Sequence, residues 1–169
     1  MNRLMISKLT VAATALLCLG VAFSGAVLAQ TAKEHVGTWT LVSTETVRPD
    51  GSRVPTFGGP ATGTLIFGAD GRFFYLFSRA ELPKFASNNR TTGTPEENAA
   101  VVKGSIATYG TYSVADKTFT LKIDHSTFPN WIGAEQPRTI TVTGDEMKWS
   151  NPAGSGGGVV ELAINVLGE

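Results

Sequence analysis

The stretch TGTLIFGADGRFFYLF, Thr62 to Phe77, decides the fold. Two runs of β-branched, aromatic and apolar residues flank GADG, with Asp70-Gly71 at its tip. Asp-Gly between two such runs is a hairpin signal, because glycine takes the left-handed backbone of a tight turn at little cost. The arms are therefore read as neighbouring antiparallel strands, 62–67 and 72–79. Outward from this hairpin the same pattern repeats. TWTLVSTETVR (38–48) sets Trp39 and Leu41 against threonines. SIATYGTYSV turns through ADK into TFTLKID, RTITVT and MKWSN flank GDE, and GVVELAINVL follows. Period-two alternation of this kind marks half-buried strands. It predicts strands at 37–48, 62–67, 72–79, 105–114, 118–125, 138–143, 146–151 and 158–167. Tight turns join most of them, so sequence neighbours pair antiparallel.

Two connections are long. Residues 49–61, PDGSRVPTFGGPA, are rich in Gly and Pro and show no helical period. Residues 80–104 hold a short helix: Thr94 caps it, Pro95 is preset for its first turn, Glu97 completes a capping box, and Gly104 ends it. GSGGG (154–158) lacks the Lys-Ser/Thr of a phosphate loop and reads as a hairpin loop. An all-β chain of eight meandering antiparallel strands with one short helix, between the third and fourth strands, predicts an up-and-down barrel, which removes exposed edges by closing. A two-sheet sandwich is the alternative arrangement.

The first residues stand apart. Arg3 and Lys8 precede an apolar run from Leu9 to Phe23, and VLA precedes Gln30. This is the pattern of a secretory signal peptide over 1–29, with 30–169 as the domain, exported to the periplasm or beyond the cell. The run is short for a membrane span, and no second one follows. Losing Arg3 and Lys8 takes the 14 basic residues to 12, against 14 acidic, and removes Cys18, the single cysteine. The remaining chain has no disulfide framework and no basic patch for nucleic acid. Its size suits one domain with its own core, expected as a monomer or weak dimer.

The residues also carry a resemblance. Gly37-Thr38-Trp39 is similar to the G-x-W that opens the first strand of lipocalins. Across Val36 to Pro152 the segments GTWTLVS, DGSRV, TLIFGADGRF, PKFASNNRTTGTPEENAAVVKGSIATYGTYSV and FTLKIDHSTFPNWIGAEQPR resemble the lipocalin-like domain family of bacteria and fungi. That resemblance implies a calycin-type antiparallel barrel; it implies less about activity. Lipocalins set a basic residue near the end of the last strand against the first-strand tryptophan. AINVLGE carries none.

Strand parity then sorts the chemistry. Phe119, Leu121 and Ile123 share one face, and one more strand residue would turn His125 inward. Asp124, His125 and Ser126 project alternately, so they cannot act as nucleophile, base and orienter. Arg138 shares parity with Ile140 and Val142, and Glu45 with Trp39 and Leu41. Segment 72–79 is apolar on both faces, so its inward side is open. Gly110, between Tyr109 and Tyr112, suggests a bend or bulge. The interior is thus expected to be aromatic with a few polar groups, and the candidate ligand-binding residues are His125, Arg138, Trp131, Tyr75, Tyr112 and Glu45. In one account Arg138 pairs with Glu45 or caps carbonyls and His125 is a core histidine. In the other, Arg138 and His125 meet the polar head of an amphipathic ligand. His35 is expected in solvent. No catalytic residue, metal ligand set or cofactor is indicated, since two distant histidines without cysteine give no metal spacing. The expected function is non-covalent binding of a small hydrophobic or amphipathic molecule. A barrel isomerase or cyclase, and an envelope-associated module with a filled core, are the alternatives.

Overall fold

Among the described residues, nine strands in one antiparallel sheet close on themselves through a pairing of the first with the last. The structure is a computed structural model and describes residues 35–115 and 118–166; residues 1–34, on which the expected signal peptide falls, 116–117 and 167–169 lie outside these. The strands are β1 (Gly37–Val47), β2 (Arg53–Pro55), β3 (Ala61–Phe67), β4 (Arg72–Arg79), β5 (Ser105–Ala115), β6 (Thr118–Ser126), β7 (Glu135–Thr143), β8 (Glu146–Asn151) and β9 (Val159–Val166). Eight of them, β1 and β3 to β9, form the closed up-and-down barrel that the alternation predicts. The short β2 is an addition. It pairs with Glu45–Val47 where β3, paired with Gly37–Thr40, no longer reaches. The Gly/Pro-rich connection 49–61 therefore carries one strand and a turn that folds Phe57 into the core.

The hairpin at Asp70-Gly71 is built as its residues require. Gly71 has φ +79°, and the Asp70 carboxylate accepts the Arg72 N–H at 3.1 Å. Phe73, Tyr75 and Phe77 face inward, while Phe74 and Leu76 face out, which settles the face of β4. Inside, Leu65, Phe67, Phe119, Leu121, Ile123, Met147 and Ile164 are almost fully buried. The Phe67 and Phe119 rings stack at 4.7 Å. His35 is buried against this cluster, edge-on to Phe119 at 4.9 Å, and does not lie in solvent as expected. Its carbonyl accepts the Trp39 indole N–H at 3.0 Å. The first-strand tryptophan is thus satisfied by the chain that precedes it, without a basic side chain from β9.

The single α-helix among the described residues, α1 (Pro95–Gly104), lies between β4 and β5. Both arms of its capping box are made: Glu97 N–H donates to Thr94 Oγ1 at 3.2 Å, and Thr94 N–H donates to the Glu97 carboxylate at 2.8 Å. The Ala86 N–H also donates to Glu97, tying the preceding loop to the helix. These backbone donors, Ala86 first, hold the Glu97 carboxyl below its ordinary value. Thr94→Ala should cost about 1 kcal/mol, the usual loss of a helix cap. It should be read as a lower thermal midpoint with faster amide exchange in 95–98 and little change in the barrel.

Two β-bulges control which side chains reach the interior. In the β1–β9 pair, Leu41 opposes Ile164 and Ser43 opposes Ala163, so Val42 is extra. In the β5–β6 pair, Tyr109 opposes His125 and Gly110 opposes Ile123, so Asp124 is extra. An extra residue inverts the alternation beyond it. Beyond Val42 the inward residue is Thr44, and Glu45 turns outward. Beyond Asp124 the inward residue is Ser126, and His125 turns outward.

Candidate functional site

One end of the barrel holds a cavity of about 40 Å³, open on one side. A buried water needs about 10–15 Å³ by the same measure, so the space takes on the order of three waters or one small polar head. Its walls come from most of the barrel: Tyr75 and Phe77 from β4, Ile106 from β5, Arg138 from β7, Trp149 from β8 and Leu162 from β9. Phe57, from the turn after β2, and Trp131, from the 3₁₀ turn Pro129–Trp131, stand at its mouth. The Arg79 guanidinium donates to the Phe57 carbonyl at 3.0 Å and so fixes that turn. Phe128 packs edge-on against Trp131 at 5.5 Å. Below the cavity the barrel is filled by the aromatic and aliphatic core.

Arg138 is the central polar group, only 2% exposed. It sits on the inward side of β7, as the parity of 138, 140 and 142 predicts. β7 begins three residues earlier than the sequence suggested, at Glu135, so Gln136 is in the same inward row and also buried. The guanidinium donates to the Pro137 carbonyl at 3.0 Å through Nη1 and to the Gln136 side-chain oxygen through Nη2. The Tyr75 phenol stands against it, beside Thr108. Among the described residues no carboxylate pairs with Arg138, and it is the one charged residue in the cavity wall. Removal from water pulls its pKa down to about 10, partly offset by the Tyr75 contact. Burial likewise pushes the Tyr75 phenol up, against the opposing contacts with Thr108 and Arg138. At neutral pH the site therefore presents a cation and a neutral phenol.

Of the six candidates, the fold brings Arg138, Tyr75 and Trp131 together and separates the other three. Tyr112 lies four residues beyond Thr108 along β5, packed on Phe67 at 4.7 Å, with its hydroxyl donating to the Gly68 carbonyl at 2.9 Å. Glu45 was expected inside. The Val42 bulge puts it outside, where Arg53 bridges it at 2.9 Å and Glu161 at 2.6 Å. His125 was also expected inside. The Asp124 bulge puts it on the outer wall against the Tyr109 ring at 5.4 Å. Ser126, on the inner side, shares a 3.0 Å hydrogen bond with Thr108 and accepts from Phe128 N–H at 3.0 Å. The expected account in which Glu45 neutralises Arg138 thus fails, and so does the one in which His125 joins it at a ligand head. Capping of backbone and amide oxygens by Arg138 is present.

Sequence inspection missed Thr44, Thr56, Phe57, Gln136 and Asn151. Thr44 and Thr56 hydrogen-bond each other at 3.0 Å on the cavity wall. Gln136 was readable from its parity with Arg138. The others depend on a bulge, a turn and a strand end that leave no pattern. No group of three or more His, Cys, Asp or Glu side chains suited to a metal occurs among the described residues.

The family model described as a lipocalin-like domain matches residues 36–156. The chain belongs to that family. Its match covers β1 to β8 and the loop after them, and so the whole cavity wall except the residues of β9. No curated protein matches this lipocalin-like chain. Among solved structures, a crystal structure of an uncharacterized protein from Bacteroides eggerthii DSM 20697 is similar over 79% of this chain and 99% of its own, at 15% identity and a TM-score of 0.41. No helix among the described residues is long and apolar enough to cross a membrane.

Proposed function

We propose that this lipocalin-like protein is exported and binds a small hydrophobic or amphipathic molecule non-covalently at the open end of its barrel. One observation carries the binding: aromatic side chains, Phe57, Tyr75, Trp131 and Trp149, converge on a cavity with a single buried cation. Apolar walls with a few convergent polar groups are the usual form of a small-molecule site. The filled core limits how deep a ligand can reach, so the bound molecule is short, with its polar end at Arg138 and its apolar part between Phe57 and Trp131. The site favours holding a ligand over transferring protons. Neither Tyr75, with its raised pKa, nor Arg138, near 10, exchanges a proton readily at neutral pH. Export rests on the basic start and short apolar run of residues 1–29.

The test is native mass spectrometry of protein purified from its exported fraction, together with titration of an environment-sensitive amphiphilic dye. A bound small molecule, or dye affinity that falls about tenfold or more in Arg138→Ala with the fold retained, is the expected result. A chain that carries nothing and ignores the dye, or unchanged affinity in Arg138→Ala, would overturn the assignment.

A further inference from the structure

We propose that the ligand of this cavity is a monoanion with a carboxylate-sized head, bound through Arg138. This inference rests on the small-molecule reading of the site and narrows it to one chemical class. A guanidinium removed from water requires compensation, and the strongest form is a carboxylate. Among the described residues Arg138 has only neutral oxygens around it: the Pro137 carbonyl, the Gln136 side chain and the Tyr75 phenol. The acid that sequence parity offered, Glu45, is held outside the barrel by the Val42 bulge and engaged by Arg53. Folding therefore places a full positive charge on the wall of a cavity, and no counterion for it occurs among the described residues.

A guanidinium has five N–H donors; Pro137 and Gln136 take two and the Tyr75 phenol is a further partner, which leaves donors for an incoming head group. Gln136 and Tyr75 both contact the guanidinium, and its planar fork of donors matches a flat, two-oxygen acceptor. Charge and size narrow the head further. Arg138 is the one charged residue in the wall, which suits one negative charge rather than the two of a phosphate monoester. The space of about 40 Å³ admits a carboxylate but not a bulky head. Thr44, Thr56 and Asn151, on the same wall, supply neutral polar atoms.

The experiment pairs ligands that differ only in the head: octanoate against 1-octanol, and benzoate against benzyl alcohol. Each is titrated into the mature chain and followed by calorimetry and by tryptophan emission, since Trp131 and Trp149 line the cavity. The expected result is that each carboxylate binds at least about tenfold more tightly than its alcohol, as a charge-assisted bond adds to the shared apolar contact. Arg138→Gln should bring carboxylate affinity down to that of the alcohol, and Arg138→Lys should restore part of it. If both variants fold poorly, competition in the unaltered protein decides: sodium formate should displace octanoate, and formamide should not. Alcohols that bind as well as the acids, or formate that does not compete, would overturn the monoanion assignment while leaving a small-molecule site in place. Failure of all four ligands to bind the folded protein would overturn both.

Discussion

Phe119→Ala lowers the stability of the barrel by about 3–5 kcal/mol, the range for deleting a buried aromatic ring. Phe119 is fully buried at the filled end of the barrel. Its ring stacks on Phe67 at 4.7 Å, meets His35 edge-on at 4.9 Å and lies 5.8 Å from Tyr112. Alanine leaves a void that these partners, each on a strand fixed by two neighbours or on the segment leading into β1, cannot collapse to fill. Aromatic pairing adds about 0.5–1.5 kcal/mol beyond area, so the loss falls in the upper part of the range. Urea unfolding should show a large drop in midpoint at nearly constant slope. Phe119→Leu, which keeps more of the volume, should cost less than half as much. A loss under about 1 kcal/mol in the alanine variant would mean that the core at this end is loosely packed. The cavity lies at the other end, so dye affinity per folded molecule should be little affected.

Gly110→Ala is expected to destabilise by about 2 kcal/mol or more, although it adds a single methyl group. A Cβ at Gly110 would sit 2.0 Å from the Lys122 carbonyl oxygen and 2.9 Å from the Asp124 backbone nitrogen. Both atoms belong to backbone, so no side chain can swing aside. The β5–β6 pair must part, or the bulge at Asp124 must be rebuilt. Overpacking of this kind typically costs 1–3 kcal/mol, and here it strikes a hydrogen-bonded ladder. The consequence should extend to the site. The same bulge sets Ser126 against Thr108, and Thr108 stands beside the Tyr75 phenol. The variant should therefore lose dye affinity beyond its loss of folded protein, and its β5–β6 amides should exchange faster than those of β8–β9. Wild-type stability and exchange in Gly110→Ala would show that the bulge has room the backbone contacts deny.

These two sites show how far the sequence reaches. Alternation, Asp70-Gly71 and the Thr94-Pro95-x-Glu97 signal are local, because each depends on the geometry of a few consecutive residues. They are enough for eight antiparallel strands and a capped helix. Closure, as against two packed sheets, is decided by the pairing of β1 with β9. Inward placement of Arg138 was equally legible, since 138, 140 and 142 lie on an unbroken stretch of β7.

His125 and Glu45 were not legible, for one shared reason. Parity propagates along a strand only while pairing is regular, and each residue lies just past a bulge. Gly110 hinted at irregularity in β5, but the extra residue is Asp124 on its partner, and only the pairing of two distant segments reveals which strand carries it. His35 illustrates the same dependence: nothing in its neighbourhood predicts burial until Phe119, 84 positions later, is laid against it. The sequence by itself determined the strands, their turns and the capped helix, because each is encoded over a few residues. Only the tertiary structure decided that the sheet closes and what the barrel contains: a filled core at one end and, at the other, a small cavity whose arginine has no acid beside it among the described residues. That outcome rests on two extra residues in the ladder, Val42 and Asp124, which turn an acid and a histidine to the outside while leaving the cation within.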